Sequence, residues 1–443
     1  ANVLESLGTV NFPVLIFSFI FFFLLGYYIK HYEDEVWENI NKLILIESLI
    51  ILVILLAKII SVFQPAYMVY LVPAAIASIL ITVLINTEIA LVVTVFISFL
   101  TALVFSNLYI AAAAAFVGGL VGIISVSNVD QRSDLIRAGF NVSISLVIFI
   151  AGLTLMEFTN NWVELLWSVA MGVLNGIFVA ILANGLLPYL ENIFDLTSSV
   201  KLLELSNPSH PLLKRLLVEA PGTYHHSIIV GNLAENAADR IGADSLLTRV
   251  GAYFHDIGKL KRPYFFSDNQ FGGENPHDKT SPNLSALIIK AHVKDGLEMA
   301  DKYNLPRAVK DIIQQHQGTG LISFFYKQAI EKNKHGDIKE SDFRYDGPKP
   351  QSREAAIIML ADITEAALRS KNFNKNNHDR IEGFVRGLVK DKLIENQLDQ
   401  SNLTLSDLDT IVKSFVKVLT GIYHQRIEYP DKLLQEMKGG NNK

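Results

Sequence analysis

The sequence predicts an all-α protein in two parts: a bundle of seven membrane-crossing helices, then a charged helical domain. Three observations carry this. Half of the 443 residues are hydrophobic, and mean hydropathy is +0.30. The apolar residues are gathered into repeated runs between residue 12 and about residue 187, whereas residues 190–443 have an ordinary charged composition. In that second part apolar residues recur at helical spacing, and no alternating strand pattern competes.

A hydrocarbon core needs about 20 apolar residues of helix. Seven runs meet this, at roughly 12–29, 43–64, 68–86, 88–106, 108–127, 138–156 and 163–187. Lys30, Lys42, Arg132 and Arg137 lie in the first and fifth connections, while the second, fourth and sixth carry no Lys or Arg. By the excess of positive charge on cytoplasmic loops, the N-terminus is expected outside and the second part in the cytoplasm. Glu47 and Lys58 lie near span ends and are read as snorkelling side chains. The small-residue run "AAAAAFVGGLVG" (111–122) reads as a close helix-packing face. Without paired intramembrane acids, transport is not favoured.

Residues 188–223 form an expected connector of two short amphipathic helices, broken at Pro208 and Pro211, with His210 in a surface loop. Beyond it, Asp244 is expected to cap a helix ended by Gly258. Ser281 and Pro282 open another. A third runs over 306–318, and a strongly amphipathic fourth over 352–370, capped by Ser352. The domains are therefore expected at 1–187, 188–223, 224–435 and a flexible tail 436–443.

With no cysteine, thiolate sites and a Cys nucleophile are excluded. The net charge of −5 gives no reason to expect a nucleic-acid polymer as partner. The chain begins with Ala, as a fragment or processed form would. His226, His255, Asp256, His292, His316 and Asp362 fall late in successive apolar helical stretches. Burying four imidazoles and two carboxylates together is costly unless a cation replaces the lost water. An N/O donor set without sulfur suits Mn, Fe, Zn or Co.

The order H…HD…H…H…D, centred on "HDIGK", resembles the HD-domain metal-dependent phosphohydrolases. The longer strings "YHHS", "GAYFHDIGKLKRP", "GGENPHDKTSPNLSALIIKAHVKDG" and "REAAIIMLADITEAA" resemble a narrower group, the bacterial seven-transmembrane HD-domain proteins, PgpH-type cyclic di-AMP phosphodiesterases. The resemblance implies one metal on His226, His255, Asp256 and Asp362, and a second on His292 and His316, with Asp256 bridging. It thus implies two divalent transition-metal ions, Mn or Fe, and a metal-activated water cleaving cyclic di-AMP to 5′-pApA. Two departures accompany it. Family members commonly carry an extracellular domain ahead of the spans, and this chain begins with the spans. Where the extended ligand set has a second His, this chain has Gln317, a weaker ligand.

Asp256 and Lys259 are the candidate catalytic groups, Lys259 as a point charge for phosphate. Lys261, Arg262 and Tyr264 put cations and a ring beside the ligands, as a nucleotide requires. In the Gly- and Asn-rich insertion 267–283, taken as flexible, His277 reads as a lid residue contacting substrate, with Asn283 a further contact. His225 is either a neighbour of the site or simply exposed. No Gly-Tyr-Pro string occurs, which favours cyclic di-AMP over cyclic di-GMP. Residue chemistry alone reaches only a metal-dependent phosphoesterase. A nucleoside triphosphohydrolase and a non-catalytic nucleotide-binding membrane receptor are the alternatives. The expected partners are a cyclic dinucleotide, the lipid bilayer of a bacterial plasma membrane, and a second copy of the chain.

Overall fold

The computed structural model describes residues 12–63, 65–105, 107–129, 131–157, 161–270, 274–332, 338–370 and 378–422. The expected tail 436–443 and the end of the expected domain 224–435, residues 423–435, lie outside them. Among the described residues every element is helical, apart from one isolated antiparallel bridge between Leu321 and Arg344. They form two compact units that divide between Glu204 and Leu205.

The first unit contains α1 (Phe12–Tyr32), α2 (Ile40–Ser61), α3 (Ala75–Leu84), α4 (Thr87–Val104), α5 (Leu108–Val126), α6 (Ser133–Glu157) and α7 (Trp162–Phe194). Six segments, from 40–61 to 162–194, are long and apolar enough to cross a membrane. The described apolar part of α1, Ile16–Tyr32, is shorter. Asn86 Nδ2 donates to Glu33 Oε2 at 2.9 Å, so the first and third connections meet at one end of the bundle.

The third crossing is not one helix. It starts as a 3-10 segment, Ala66–Leu71, and Pro73 separates this from α3. Broken backbone at membrane depth must find internal partners. Here buried Asn175 of α7 donates its amide to both Tyr70 O and Val72 O, each at 2.8 Å. The small-residue run is a packing face, as expected: a methyl on Gly119 would meet Thr94 Cγ2 at 2.4 Å and Ser78 Oγ at 2.8 Å. Ser78 and Thr94 hydroxyls pair beneath it at 2.6 Å.

α7 runs past the expected boundary at 187 and through Pro188 to Phe194, because Leu186, Leu190 and Phe194 prolong the apolar stripe packed on the bundle core. Ser198 then bonds the buried Glu191 and closes the turn into α8 (Ser199–Ser206).

The second unit holds α9 (Pro211–Glu219), α10 (Pro221–Ile241), α11 (Ser245–Phe254), α12 (Pro282–Lys302), α13 (Arg307–Gln315), α14 (Ser323–Lys332), α15 (Arg353–Ser370), α16 (His378–Ile394) and α17 (Leu405–Ile422). Asp244 caps α11, Ser281 caps α12 and Ser352 caps α15, as the sequence predicts. Three expectations are corrected. His210 is half-buried, caps α9 through Nδ1 and sets its ring edge-on to Phe254 at 5.4 Å. α15 is buried on all sides from Ala355 to Ala361 and is not amphipathic there, being enclosed by α10, α11, α13 and α16. α11 stops at Phe254, and Gly258 lies within a 3-10 turn, Ile257–Lys261. That glycine is required by contact: a Cβ would meet His292 O at 1.8 Å.

Candidate metal centre

The close approach at Gly258 docks the turn after α11 onto α12, which sets Asp256 against His292. Asp256 is fully buried. Its Oδ2 lies 3.2 Å from His255 Nε2 and 3.7 Å from His226 Nε2. Its Oδ1 lies 3.4 Å from His292 Nε2 and 3.7 Å from His316 Nε2. Asp362 Oδ1 completes the cluster, 3.0 Å from His226 Nε2. All six sequence-predicted ligands therefore converge. Three overlapping triads each have donor atoms within 4.8 Å of one another: His226–His255–Asp256, His255–His316–Asp362 and Asp256–His292–His316.

The imidazole tautomers follow from their backbone partners. Nδ1 of His255, His292 and His316 faces the carbonyl three residues earlier, at 2.7, 2.6 and 2.8 Å. A carbonyl only accepts, so each Nδ1 carries a proton, and each ring in its neutral form turns the Nε2 lone pair into the cluster. His226 turns Nδ1 to the buried Glu365 carboxylate at 2.5 Å, the arrangement that orients a metal-ligating imidazole. Neither oxygen of Asp256 receives a well-directed hydrogen bond. A buried set of inward lone pairs and carboxylate oxygens fits a divalent metal and little else.

Electrostatics agree. Burial acts to raise the Asp256 pKa, but the adjacent Lys259 ammonium holds it well below the usual carboxylate range. Asp362 is likewise depressed against burial, chiefly by its hydrogen bond to His226. Burial pushes His292 down to about 4, keeping it neutral and ready to ligate.

The expected substrate contacts divide. Lys259 Nζ lies in the cluster, 2.6 Å from Asp256 Oδ2 and 2.9 Å from Asp268 Oδ2, above the Phe266 ring. Lys261 and Arg262 both bind Asp295 of α12, because the 3-10 turn directs them away from Asp256. They are not free charges at the cluster. Tyr264 and Asn283 are exposed. His277 is not a lid residue: it is buried, donates Nε2 to Phe265 O at 2.8 Å and packs on Phe325. His225 is exposed. Gln317 turns its amide nitrogen to Asp362 Oδ2 at 3.0 Å, so it orients a ligand through hydrogen bonding.

The start of the insertion is also well held. Asn269 exchanges hydrogen bonds with Thr223, and Asp268 bonds both Lys259 and Arg369. Asp268, Arg369, Glu365 and Tyr345 were missed by the sequence reading. Only Glu365 had a signal, lying three residues after Asp362 on one helix face.

Residues 9–198 match the family described as a 7TM receptor with intracellular HD hydrolase, and residues 223–367 match the HD domain. A cyclic-di-AMP phosphodiesterase, PgpH, of Bacillus subtilis is 40% identical over 429 residues, 94% of this chain and 60% of that protein. The chain's two parts thus match, in order, the membrane and HD parts of seven-transmembrane HD-domain proteins. The PgpH of Listeria monocytogenes is 40% identical over 365 residues, 82% of this chain and 50% of that one. The chain thus spans about half to three-fifths of the length of these curated relatives. The crystal structure of the Listeria PgpH HD domain in complex with cyclic-di-AMP is 46% identical, covering 49% of this chain and all of that one, with a TM-score of 0.47. The chain is thus a multi-pass membrane protein whose second unit is an all-α HD domain with a cluster suited to divalent metal.

Proposed function

We infer that the chain is a metal-dependent phosphodiesterase that hydrolyses cyclic di-AMP to 5′-pApA. The single observation that carries the reading is the division of Asp256: one oxygen turns to His226 and His255, the other to His292 and His316. A carboxylate shared in this way suits two divalent ions, of which Mn and Fe match the N/O donors. When bound, such ions acidify water and offset charge on the phosphoryl oxygens. The substrate assignment rests on the activity named for the Bacillus and Listeria relatives.

The protein's own groups do the rest. Lys259, held by Asp256 and Asp268, stays protonated because those carboxylates outweigh burial, and it donates to a phosphate oxygen. Glu365 and Gln317 fix His226 and Asp362. Tyr345, edge-on to His292 at 5.9 Å, keeps its phenolic proton because burial pushes its pKa up. It is therefore a hydrogen-bond donor at the site. Lys30, Lys42, Arg132 and Arg137 on the odd-numbered connections support a plasma-membrane protein with its N-terminus outside and its hydrolase domain in the cytoplasm. The reading does not require a second copy.

The test is product chromatography with the detergent-purified chain, Mn²⁺ and cyclic di-AMP. Asp256→Ala and cyclic di-GMP serve as controls. The expected result is pApA from the wild type alone, with cyclic di-GMP largely spared. Nucleotide binding without turnover in any divalent metal overturns the enzyme reading.

A further inference from the structure

The first unit holds a cavity of about 480 Å³ lined by described residues between Lys58 and Ser168. Lys58, the 3-10 segment of the broken third crossing, and the starts of α5 and α7 line it. Irregular backbone at membrane depth occurs where it is buried in protein or borders a cavity, and interrupted crossings are where membrane proteins build ligand sites. Lys58 and Glu164 are the two charged side chains of the lining among the described residues. Among the described residues Lys58 has no carboxylate within ion-pair distance, although its side chain is half-buried. Asn107 and Asn161 accept from Ile110 N and Glu164 N with their side-chain oxygens, so the positive ends of two helix dipoles meet at the lining. Glu164, the one lining acid among the described residues, is already engaged by Asn161 Nδ2 at 3.1 Å. The rest of the wall is aromatic and aliphatic, with hydroxyls from Thr154 and Ser168.

From this cavity we propose a ligand site for a small organic anion, with its acidic head on Lys58 and its apolar body against Tyr67 and the neighbouring helices. The site is separate from the metal centre. Tyr67 stacks on Trp167 at 5.9 Å, which supplies an optical reporter at the cavity wall.

Phenylacetate is titrated into the 443-residue chain in uncharged detergent while tryptophan fluorescence is followed. Phenylacetamide is the uncharged control. The expected result is a saturable change with phenylacetate, at least tenfold weaker with the amide, lost in Lys58→Met and kept in Lys58→Arg. Asn107→Leu, on the exposed rim, weakens it several-fold and guards against misfolding of the Lys58 variant, as does an unchanged thermal melt. Phosphatidylglycerol that displaces phenylacetate identifies a lipid headgroup as the natural anion; no displacement identifies a soluble one. Absence of saturable binding, equal affinity for the amide, or undiminished binding in a folded Lys58→Met chain overturns the proposal.

Discussion

His292 Nε2 and His316 Nε2 face each other at 3.2 Å, deep in the second unit, while each ring's Nδ1 is turned to a carbonyl of its own helix. Two lone pairs at that distance repel unless a cation lies against them. This geometry is the physical reason to read the cluster as a metal centre and not as a set of satisfied core histidines.

The first prediction concerns the proton inventory. Burial disfavours a charged His226, but Asp362 and Glu365 outweigh it and push its pKa up to about 10. Asp256, Asp362 and His292 already stand in the form a metal takes. Metal binding at pH 8 therefore releases about one proton from His226, measurable by calorimetry in buffers of different ionisation enthalpy. In the metal-free chain the raised pKa stabilises the fold fully below the unfolded value of about 6.5, and the contribution is lost as pH rises through about 10. The gap in melting temperature between metal-free wild type and His226→Asn narrows accordingly from pH 6 to above pH 10.

Glu365→Gln keeps the shape and removes the charge behind His226. It lowers divalent-metal affinity by about 10–100-fold, and it also lowers the melt of the metal-free chain near neutral pH, where Glu365 helps to keep His226 charged. Equilibrium dialysis with Mn²⁺ reads the change without recourse to turnover.

Gln317→Leu frees Asp362 Oδ2 from its amide partner. Metal affinity falls by about tenfold. If Gln317 were a ligand through its carbonyl, Gln317→Asn and Gln317→Leu would be equally poor. The orienting role instead predicts that Gln317→His, which retains a donor, holds affinity at or below the wild-type level in the same dialysis, whereas an imidazole that ligates the metal would raise it above wild type.

Gly258→Ala drives a methyl into His292 O and costs at least about 3 kcal/mol. Gly383→Ala in α16 meets nothing within 4 Å and is neutral or stabilising by up to about 1 kcal/mol. Denaturant melts of the two variants compare them directly.

Most of the architecture was legible because long apolar runs and helical spacing are strong signals. Asp244, Ser281 and Ser352 marked helix starts for a local reason, a side-chain oxygen within reach of a backbone N–H. The convergence of the six candidate ligands was legible because four histidines on successive apolar faces demand a common explanation. What was not legible depended on tertiary approach. Gly258 looked like a helix end, but its constraint comes from a carbonyl 34 positions away in sequence. Lys261 and Arg262 looked like phosphate ligands, and only the fold brings Asp295 to them. His277 looked like a polar loop residue, but Phe265 and Phe325 enclose it. The break in the third crossing had a signal in Pro65 and Pro73; its partner, Asn175, had none.

The measurement that bears most directly on the central claim is cyclic di-AMP hydrolysis by metal-stripped chain as Mn²⁺ is restored, for wild type and His292→Ala. The account predicts no turnover in chelator, recovery with added metal in the wild type, and a rate at least about 100-fold lower in His292→Ala at matched metal. Undiminished turnover in chelator, or a His292→Ala chain as fast as the wild type, would contradict it.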